Sequence, residues 1–394
     1  MKLFISAGEA SGDLHASQVI RELRRIDPGV EITFLGGDLM ARETGHEPLI
    51  HYRDMAFMGF TEVIKHLPQI YRNLKTAKGA ISRERPDALL LVDYPGFNME
   101  IAAYGRALGI PVYYYIAPKV WAWKSYRVKA LKRDVKRIFS ILPFEPAWFD
   151  RHRLQVEYVG NPSVEEVNAA IAALPEKSQF LSHHNLPADK PLLAIVPGSR
   201  RGEIKCNLPV MDAVAKRHPE LCPVIAGAPG IDLSVYRRYS SLPVINASTL
   251  ELMAHSRAAL VTSGTASLEC ALAGTPQVVC YRSIGWKPAH DLFTHILKIP
   301  YVSLPNLIAG PISEKARKEQ NRKGVVRGHI IPEMLVHHCN PDEVDAQLVP
   351  LLGNTEERAR QIGGYARMRG LLSSTMSAAA TVAARLNFLV KTGK

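Results

Sequence analysis

The chain has 394 residues, 47% hydrophobic and 22% charged, a balance that is ordinary for a globular protein and long enough for two domains. Its five cysteines form no Cys-x-x-Cys pair and no apolar run reaches the roughly 18 residues of a membrane span, which argues against a zinc site, a disulfide framework and a membrane-spanning helix. The formal charge of +12 suits nucleic acid, an anionic membrane surface or a phosphorylated substrate as the partner, and a basic protein whose charge serves only solubility is the alternative.

Short apolar runs alternate with helical stretches along the chain, and the first run is too short for a secretory signal. This alternation predicts βαβ units and two doubly wound, Rossmann-like α/β domains with parallel sheets, facing a cleft. We expect domains at 1–175 and 186–365, and a C-terminal helix within 366–394 that packs back on the first domain. The predicted strands are 2–6, 31–35, 88–93, 111–116, 137–142 and 155–159, then 192–196, 222–226, 243–245, 258–262 and 277–281.

The loop after the first strand reads SAGEASGDLHA over residues 6–16 and opens a helix. Its backbone N–H groups suit a phosphate or a sugar. The glycine spacing is neither that of a dinucleotide site nor that of a P-loop, and two carboxylates, Glu9 and Asp13, would repel a pyrophosphate. The loop is therefore predicted to bind something other than a nucleotide. Once the family resemblance described below is taken into account, its carboxylates are expected to bind sugar hydroxyls, and its helix start stays open as a site for an acceptor phosphate.

An amphipathic basic stretch follows at 57–75, interrupted by Pro68. Such a stretch can lie in a membrane interface, and packing against the domain's own sheet is the alternative. The apolar side chains placed on one helical face by their spacing are Phe60, Ile64, Leu67, Tyr71 and Leu74.

The apolar strand at 88–92 runs into the turn Asp93-Tyr94-Pro95. A carboxylate at the carboxyl end of a buried strand is partly desolvated, which raises its pKa and suits it to act as a base. The alternative is a helix cap or a turn aspartate before Pro95. Glu9 and Asp13 also stay open as candidates for the base.

The segment 118–137 carries eight Lys or Arg residues and a single acidic residue, Asp134. Three aromatic side chains, Trp121, Trp123 and Tyr126, are interleaved with them. The pattern suits nucleic acid or an anionic lipid surface, and a solvated helix face is the alternative.

Two strand ends in the second half predict anion sites. The first turn holds Gly198, which permits a tight turn, Ser199, and the paired guanidinium groups of Arg200 and Arg201, which suit phosphate. The alternative for this turn is a capped helix with two solvated arginines.

The second turn combines hydroxyls with one glycine at Ser263, Gly264 and Thr265 and leads into a helix that carries Glu269. Ala266 stands where a capping box would need Ser or Thr, so Glu269 is free to accept ribose hydroxyls; an exposed helix glutamate is the alternative. Together the two turns predict a nucleoside-diphosphate site.

A series of short motifs in this order resembles the lipid-A-disaccharide synthase family and covers most of the chain. The matching motifs are SAGEASGD at 6–13, MGFTEVIKHLP at 58–68, DYPGFN at 93–98, VWAW at 120–123, ILPFE at 141–145, VGNP at 159–162, PGSR at 197–200 with Glu203, TSGTASLE at 262–269 and LPNLI at 304–308.

The resemblance implies an inverting glycosyltransferase of the B-type fold that uses no cofactor. The donor would be UDP-2,3-diacylglucosamine and the acceptor 2,3-diacylglucosamine 1-phosphate, giving a β-1,6 disaccharide phosphate and UDP. The first domain would face the acceptor and the membrane, and the second would hold the UDP-sugar. The enzyme would be cytoplasmic and peripheral to the inner membrane, bind no nucleic acid, and allow an oligomer.

The resemblance also implies residue roles. Asp93 would deprotonate the acceptor 6-hydroxyl, and Arg200 with the helix ends would stabilise the departing diphosphate in place of a metal, for which the chain offers no Asp-x-Asp pair. Glu269 would bind the ribose. Further substrate contacts would come from Glu9, Ser11, Gly12, Asp13, Asn161, Gly198, Ser199, Arg201, Ser263, Gly264, Thr265 and Asn306, and membrane contacts from Phe60, Ile64, Leu67 and Tyr71.

The chain departs from the family pattern at 311–330, a basic insertion, and at Val336, where the family has glutamine. Two other functions stay as alternatives. One is an epimerase that resembles UDP-N-acetylglucosamine 2-epimerase and needs no membrane-facing surface. The other is an RNA-binding protein that uses 118–137, whose affinity would fall steeply with salt.

Overall fold

A computed structural model of the protein describes residues 1–55, 66–122, 125–246, 248–282, 301–310 and 329–393. The chain forms two compact units. Met1–Pro162 and Ser373–Lys394 make the first, and Ser163–Leu372 makes the second. The C-terminal segment therefore belongs to the first unit, to which it returns after the second has been completed.

The first unit is built on a sheet of seven parallel strands in the order β3-β2-β1-β4-β5-β6-β7. The order reverses between β1 and β4, which is the point where such sheets bind ligands. All five residues of β4 are buried because helices cover both faces of a parallel sheet. The strands are β1 Lys2–Ala7, β2 Glu31–Gly36, β3 Ile50–His51, β4 Ala88–Val92, β5 Val112–Tyr115, β6 Arg137–Ser140 and β7 Val156–Tyr158.

The second unit repeats this plan with six parallel strands in the order β10-β9-β8-β11-β12-β13. Its reversal lies between β8 and β11. The strands are β8 Leu192–Val196, β9 Cys222–Gly227, β10 Val244–Asn246, β11 Ala258–Thr262, β12 Gln277–Tyr281 and β13 Glu333–Leu335. The prediction of two doubly wound parallel sheets is confirmed, although the short edge strands β3 and β13 were not predicted.

Helices connect the strands in both units. In the described part of the chain they are α1 Ala10–Ile26, α2 Asp38–Thr44, α3 Leu67–Glu84, α4 Pro95–Ala107, α5 Val128–Asp134, α6 Glu145–Asp150, α7 Pro162–Ala172, α8 Lys177–His183, α9 Arg201–Ala215, α10 Leu233–Arg237, α11 Thr249–His255, α12 Thr265–Leu272, α13 Leu304–Ala309, α14 Pro341–Leu352, α15 Glu356–Leu372 and α16 Ala378–Thr392; single 3-10 turns lie at Tyr52–Asp54, Ser125–Arg127 and Val336–His338. None of these helices combines the length and the apolar character needed to cross a membrane.

Alternate residues of the first sheet enter two separate cores, as the two-residue period of a strand requires. Leu3 and Ile5 face α1 and α16, whose Val382 and Leu386 are fully buried there. Phe4, one residue along the same strand, faces the opposite core with α3, α4 and α5. The C-terminal helix is therefore part of the first unit's core.

We expect Leu386→Ala to lower the free energy of unfolding by about 2–5 kcal/mol, because it leaves a cavity between α16 and the sheet. Phe388→Ala is the matched control on the same helix, since Phe388 is 46% exposed and should change stability by about 0.5 kcal/mol or less. Urea denaturation followed by circular dichroism measures both. Equal midpoints for the two variants would show that α16 adds little to the core.

Candidate functional site

Three chain segments of the first unit meet at the carboxyl edge of its sheet. The register pairs Ala7 of β1 with Val92 of β4, and Val92 with Tyr115 of β5. The loop that begins after Ala7, the turn at Asp93 and the segment that begins at Ile116 are therefore neighbours. Ile116 has φ +59°, an uncommon conformation for a β-branched residue.

Asp93 lies at the centre of this edge in a strained turn. Asp93 and Tyr94 both have left-handed backbones, with φ of +46° and +48°. Burial raises the pKa of the Asp93 carboxyl, and a hydrogen bond from the Tyr94 backbone and the positive charge of Lys119 oppose that rise only in part. A partly buried carboxylate of raised basicity suits proton abstraction.

The loop at 6–13 packs directly on this turn. A Cβ atom at Gly8 would lie 2.2 Å from the Tyr94 ring, so only glycine fits there. Burial, followed by the nearby Glu9 carboxylate, raises the pKa of Tyr94 to about 12. Glu9 is the N-cap residue of α1, and Ser11 is exposed in its first turn. The structure thus places the start of this loop, with Glu9, against the turn formed by Asp93 and Tyr94.

Gly12 and Asp13 instead have structural roles within the first unit. A Cβ at Gly12 would come within 3.3 Å of the Ala7 Cβ, so the residue lets α1 approach β1. Asp13 is 2% exposed. Its oxygens accept three backbone N–H groups at the start of α2, those of Gly37 (2.7 Å), Leu39 (3.1 Å) and Met40 (3.2 Å). These bonds oppose the sequence-based assignment of Asp13 to sugar hydroxyls, because both carboxylate oxygens are already engaged.

Glu145 is a buried carboxyl that was not predicted from the sequence as a site residue. It accepts hydrogen bonds from Trp121 Nε1 at 2.7 Å and from the Ser140 hydroxyl. Burial raises its pKa to about 7. Its position in the ILPFE motif, directly after an apolar strand, is the signal that would have found it. Asn161 is also buried and donates to the Ile141 carbonyl at 3.0 Å.

The basic segment 118–137 is only partly a surface feature. Trp121 is buried and bonded to Glu145, so its ring is not available for stacking on a base. Asp134 is buried and pairs with Arg106 and Arg133 at 3.0 and 2.7 Å. Tyr126 is exposed, and Trp123 lies outside the described residues.

Helix α3 covers only part of the predicted apolar face. Leu74 packs on the core together with Ile70, whereas Leu67 and Tyr71 are 53% and 71% exposed. Leu74 is covered because the sheet lies on the side of the helix that carries Ile70, Leu74 and Ala77. Phe60 and Ile64 lie outside the described residues.

In the second unit, the first predicted turn is organised by Glu203. Gly198 has φ +130°, and a Cβ there would lie 2.5 Å from the Glu203 Cβ. Glu203 accepts from the backbone N–H groups of Ser199 and Arg200 at 3.0 and 3.3 Å. The Arg200 guanidinium, 68% exposed, pairs with the same carboxylate at 3.0 Å, and Arg201 begins α9. The turn therefore presents a helix start and two arginines at the surface.

The second predicted turn is its neighbour, since Val196 of β8 pairs with Val261 of β11. Gly264 has φ +142°, and Thr265 begins α12. Ser263 donates its hydroxyl to the Val302 carbonyl at 2.7 Å. Burial raises the pKa of Glu269, one turn inside the helix. A partly buried carboxyl one turn inside this helix suits the hydroxyls of a sugar.

Asn207 joins the two turns and was missed from the sequence. Its amide nitrogen donates to the Pro197 carbonyl at 3.2 Å and to Thr262 Oγ1 at 3.0 Å. Its oxygen accepts the N–H of Arg282 at 2.9 Å. It is buried inside α9, and a lone asparagine in a helical stretch gives no signal of this role.

The side-chain nitrogen and oxygen of Asn306 are also both engaged in hydrogen bonds. Its amide nitrogen donates to the Ile331 carbonyl and to Glu333 at 2.8 and 2.9 Å. Its oxygen accepts the N–H groups of Ile330 and Ile331 at 2.7 and 3.0 Å. These bonds oppose a nucleotide contact by this side chain and assign it to holding α13 against the strand β13. The insertion at 311–328 lies outside the described residues.

Comparison with known proteins identifies the family to which the chain belongs. The family model for lipid-A-disaccharide synthetase matches residues 3–385. A lipid-A-disaccharide synthase of Anaeromyxobacter sp. (strain K) is 35% identical over 381 residues, covering 94% of this chain and 93% of that protein. One from Myxococcus xanthus (strain DK1622) is 35% identical over 391 residues, covering 96% of this chain and 94% of that protein.

Solved structures show the fold. The UDP-GlcNAc 2-epimerase of Methanocaldococcus jannaschii superposes with a TM-score of 0.55 at 13% identity, covering 94% of this chain and 99% of that one. A glycosyltransferase of kitacinnamycin superposes with a TM-score of 0.56 at 13% identity, covering 98% of both chains. These likenesses confirm the predicted B-type fold, and the family match over nearly the whole chain places the protein in the lipid-A-disaccharide synthetase family of glycosyltransferases.

Proposed function

We propose that the protein transfers 2,3-diacylglucosamine from UDP-2,3-diacylglucosamine to the 6-hydroxyl of 2,3-diacylglucosamine 1-phosphate with inversion. The products are the β-1,6 disaccharide 1-phosphate and UDP. Family membership supports the sugar nucleotide and the lipid acceptor as substrates. The observation that carries the chemistry is Asp93, a partly buried carboxyl of raised pKa at the point where the first sheet reverses its strand order.

Asp93 acts as the general base. Its carboxylate takes the proton of the acceptor 6-hydroxyl, the oxygen attacks the anomeric carbon, and the bond from that carbon to the diphosphate breaks. General-base assistance contributes roughly 10²–10⁴-fold to the rate. Glu9 lies near Tyr94 in the loop at 6–13, which we call the acceptor loop. It binds sugar hydroxyls together with Ser11. Asp13 and Gly12 hold that loop in place.

The second unit binds UDP. The starts of α9 and α12, with Ser199, Thr265 and Arg201, receive the diphosphate, and Glu269 accepts the ribose hydroxyls. Arg200 exchanges part of its exposed pairing with Glu203 for the leaving diphosphate and offsets the charge that develops on it. Gly198, Ser263 and Gly264 shape the turns, and Asn306 holds α13 behind them.

We also propose that the enzyme is peripheral to the cytoplasmic face of the inner membrane. Leu67 and Tyr71 are exposed one turn apart on α3, and Arg72 and Lys75 are exposed beside them. An apolar contact flanked by cations suits an anionic bilayer, in which each Lys or Arg contributes about 1 kcal/mol. Phe60 and Ile64 stay part of this predicted membrane contact.

A transfer assay with both acylated glucosamine substrates tests the function. We expect disaccharide phosphate and UDP in equal amounts, with the activity retained in EDTA because Arg200 and the helix starts balance the diphosphate charge. A parallel incubation with UDP-N-acetylglucosamine tests the epimerase alternative, which predicts a 2-epimer without any acceptor. Folded protein that forms no disaccharide would overturn the main proposal, and loss of activity in EDTA that Mg²⁺ restores would overturn its metal-free part.

We expect Asp93→Asn to lower kcat roughly 10²–10⁴-fold, because the amide cannot take the proton. UDP affinity, measured by calorimetry, should stay unchanged, since the proposed nucleotide site lies in the second unit. Glu47→Gln, an exposed position of the same unit, is the control and should keep full turnover. Near-normal turnover of Asp93→Asn would remove Asp93 as the base and leave Glu9 as the next candidate.

We expect the double substitution Leu67→Ser with Tyr71→Ser to reduce binding to anionic liposomes at least tenfold without lowering the melting temperature, because both side chains are exposed. Phe388→Ser, an exposed apolar side chain on α16, is the matched control and should bind as the parent does. Liposome co-sedimentation measures the three proteins. Equal binding by all three would mean that α3 does not contact the membrane.

A further inference from the structure

We propose that Asn98 and Tyr114 form a clamp on the main-chain carbonyl of Asp93 and thereby fix the direction in which its carboxylate points. They are positioning residues, since they touch the base and not the substrate. The inference rests on the proposed function, in which Asp93 is the general base.

The turn needs such a clamp because it is strained. Asp93 and Tyr94 are consecutive residues with positive φ, and neither is glycine. A non-glycine residue in the left-handed conformation is strained and persists only where its surroundings over-determine it. Aspartate tolerates the conformation better than tyrosine does, so the sequence of the turn does not itself explain the geometry.

The hydrogen bonds to Asp93 supply the constraint. Its carbonyl oxygen accepts from Asn98 Nδ2 at 2.8 Å and from the Tyr114 hydroxyl at 2.7 Å. Its N–H donates to the Tyr115 carbonyl at 3.0 Å. Because the N–H and the carbonyl of Asp93 are both held by hydrogen bonds, its Cα–Cβ bond has a fixed direction relative to the sheet.

Both members of the clamp are rigid. Asn98 is fully buried, and its amide also donates to the Ser6 and Val92 carbonyls at 3.3 and 3.2 Å while its oxygen accepts the Ser6 hydroxyl at 2.7 Å. It therefore ties β1 and β4 together at their ends.

Tyr114 is fully buried in β5. Burial, with the Asp93 charge, holds its pKa well above the usual range, so the hydroxyl stays protonated and keeps donating.

The other half of the turn is held independently. Tyr94 donates its hydroxyl to the Met55 carbonyl, and its ring fills the space that the missing side chain of Gly8 leaves open. The strained turn is thus fixed at Asp93 by the clamp and at Tyr94 by packing. The Tyr114 hydroxyl donates to the Asp93 carbonyl, whereas Asn98 also bonds to Ser6 at the start of the loop at 6–13. A change at Tyr114 is therefore the more selective test of the base.

Tyr114→Phe is the mildest test, since it removes one donor and keeps the ring. We expect kcat to fall about tenfold with the acceptor KM and UDP affinity unchanged, because a misdirected base slows chemistry and not binding. Tyr113→Phe is the matched control. Its ring lies in the same strand, stacks on Phe139 and faces the opposite core, and the variant should keep full turnover. Asn98→Asp keeps the shape of the side chain and loses the amide donors. It should lower kcat more than Tyr114→Phe does.

A double-mutant cycle with Asp93→Asn tests whether the clamp acts through the base. We expect Tyr114→Phe to cause no further loss in the Asp93→Asn background. Equal turnover of Tyr114→Phe and Tyr113→Phe, or losses that multiply with Asp93→Asn, would overturn the clamp and leave the transferase proposal standing. Near-normal turnover of Asp93→Asn would overturn both the base and the clamp, and wild-type protein without transfer activity would overturn the proposed function with them.

Discussion

Parallel pairing of β4 with β1 on one side and β5 on the other is the constraint on which the acceptor side of this enzyme depends. The register sets Val92 beside Ala7 and Tyr115, so the chain leaves all three strands at one edge. Asp93 is the first residue beyond that pairing, and its N–H and carbonyl are held by Tyr115 and Tyr114 of β5 and by Asn98 of α4. A residue placed by sheet register, and not by a long loop, varies little in position, which is what the proposed role of Asp93 as the base requires.

Carboxyl groups in the first turns of helices and at the start of β13 build much of the framework around the sites. Asp13 holds the start of α2, Glu203 shapes the turn before α9, and Glu333 accepts from the Val302 and Ser303 backbones. A carboxylate removed from water is stable only when donors replace its hydration, and the N–H groups at a loop or helix start are the donors at hand. Burial raises the pKa values of Glu269 and Asp93, and at Asp93 a hydrogen bond from the Tyr94 backbone and the charge of Lys119 oppose that rise in part.

The fold by itself does not choose the reaction. Epimerases and glycosyltransferases share this architecture at 13% identity, so two doubly wound sheets are compatible with both activities. Under the proposed function the distinction lies in the first unit, where a strained turn holds Asp93 and where α3 exposes Leu67 and Tyr71. A base for an acceptor hydroxyl and an apolar surface for a lipid are features that a transferase acting on acylated sugars needs.

The sequence by itself determined the two parallel sheets, because buried strands are continuous apolar runs and their spacing is local information. It also placed Asp93 and the two glycine turns of the second unit at strand ends. The tertiary structure alone decided which polar side chains are already engaged. Asp13 meets Gly37 across 24 residues and Asn306 meets Ile331 across 25, and no local pattern encodes such partners. It likewise decided that Leu74 faces the core while Tyr71 faces solvent, because the direction of the sheet, and not helical spacing, sets which side of α3 is covered.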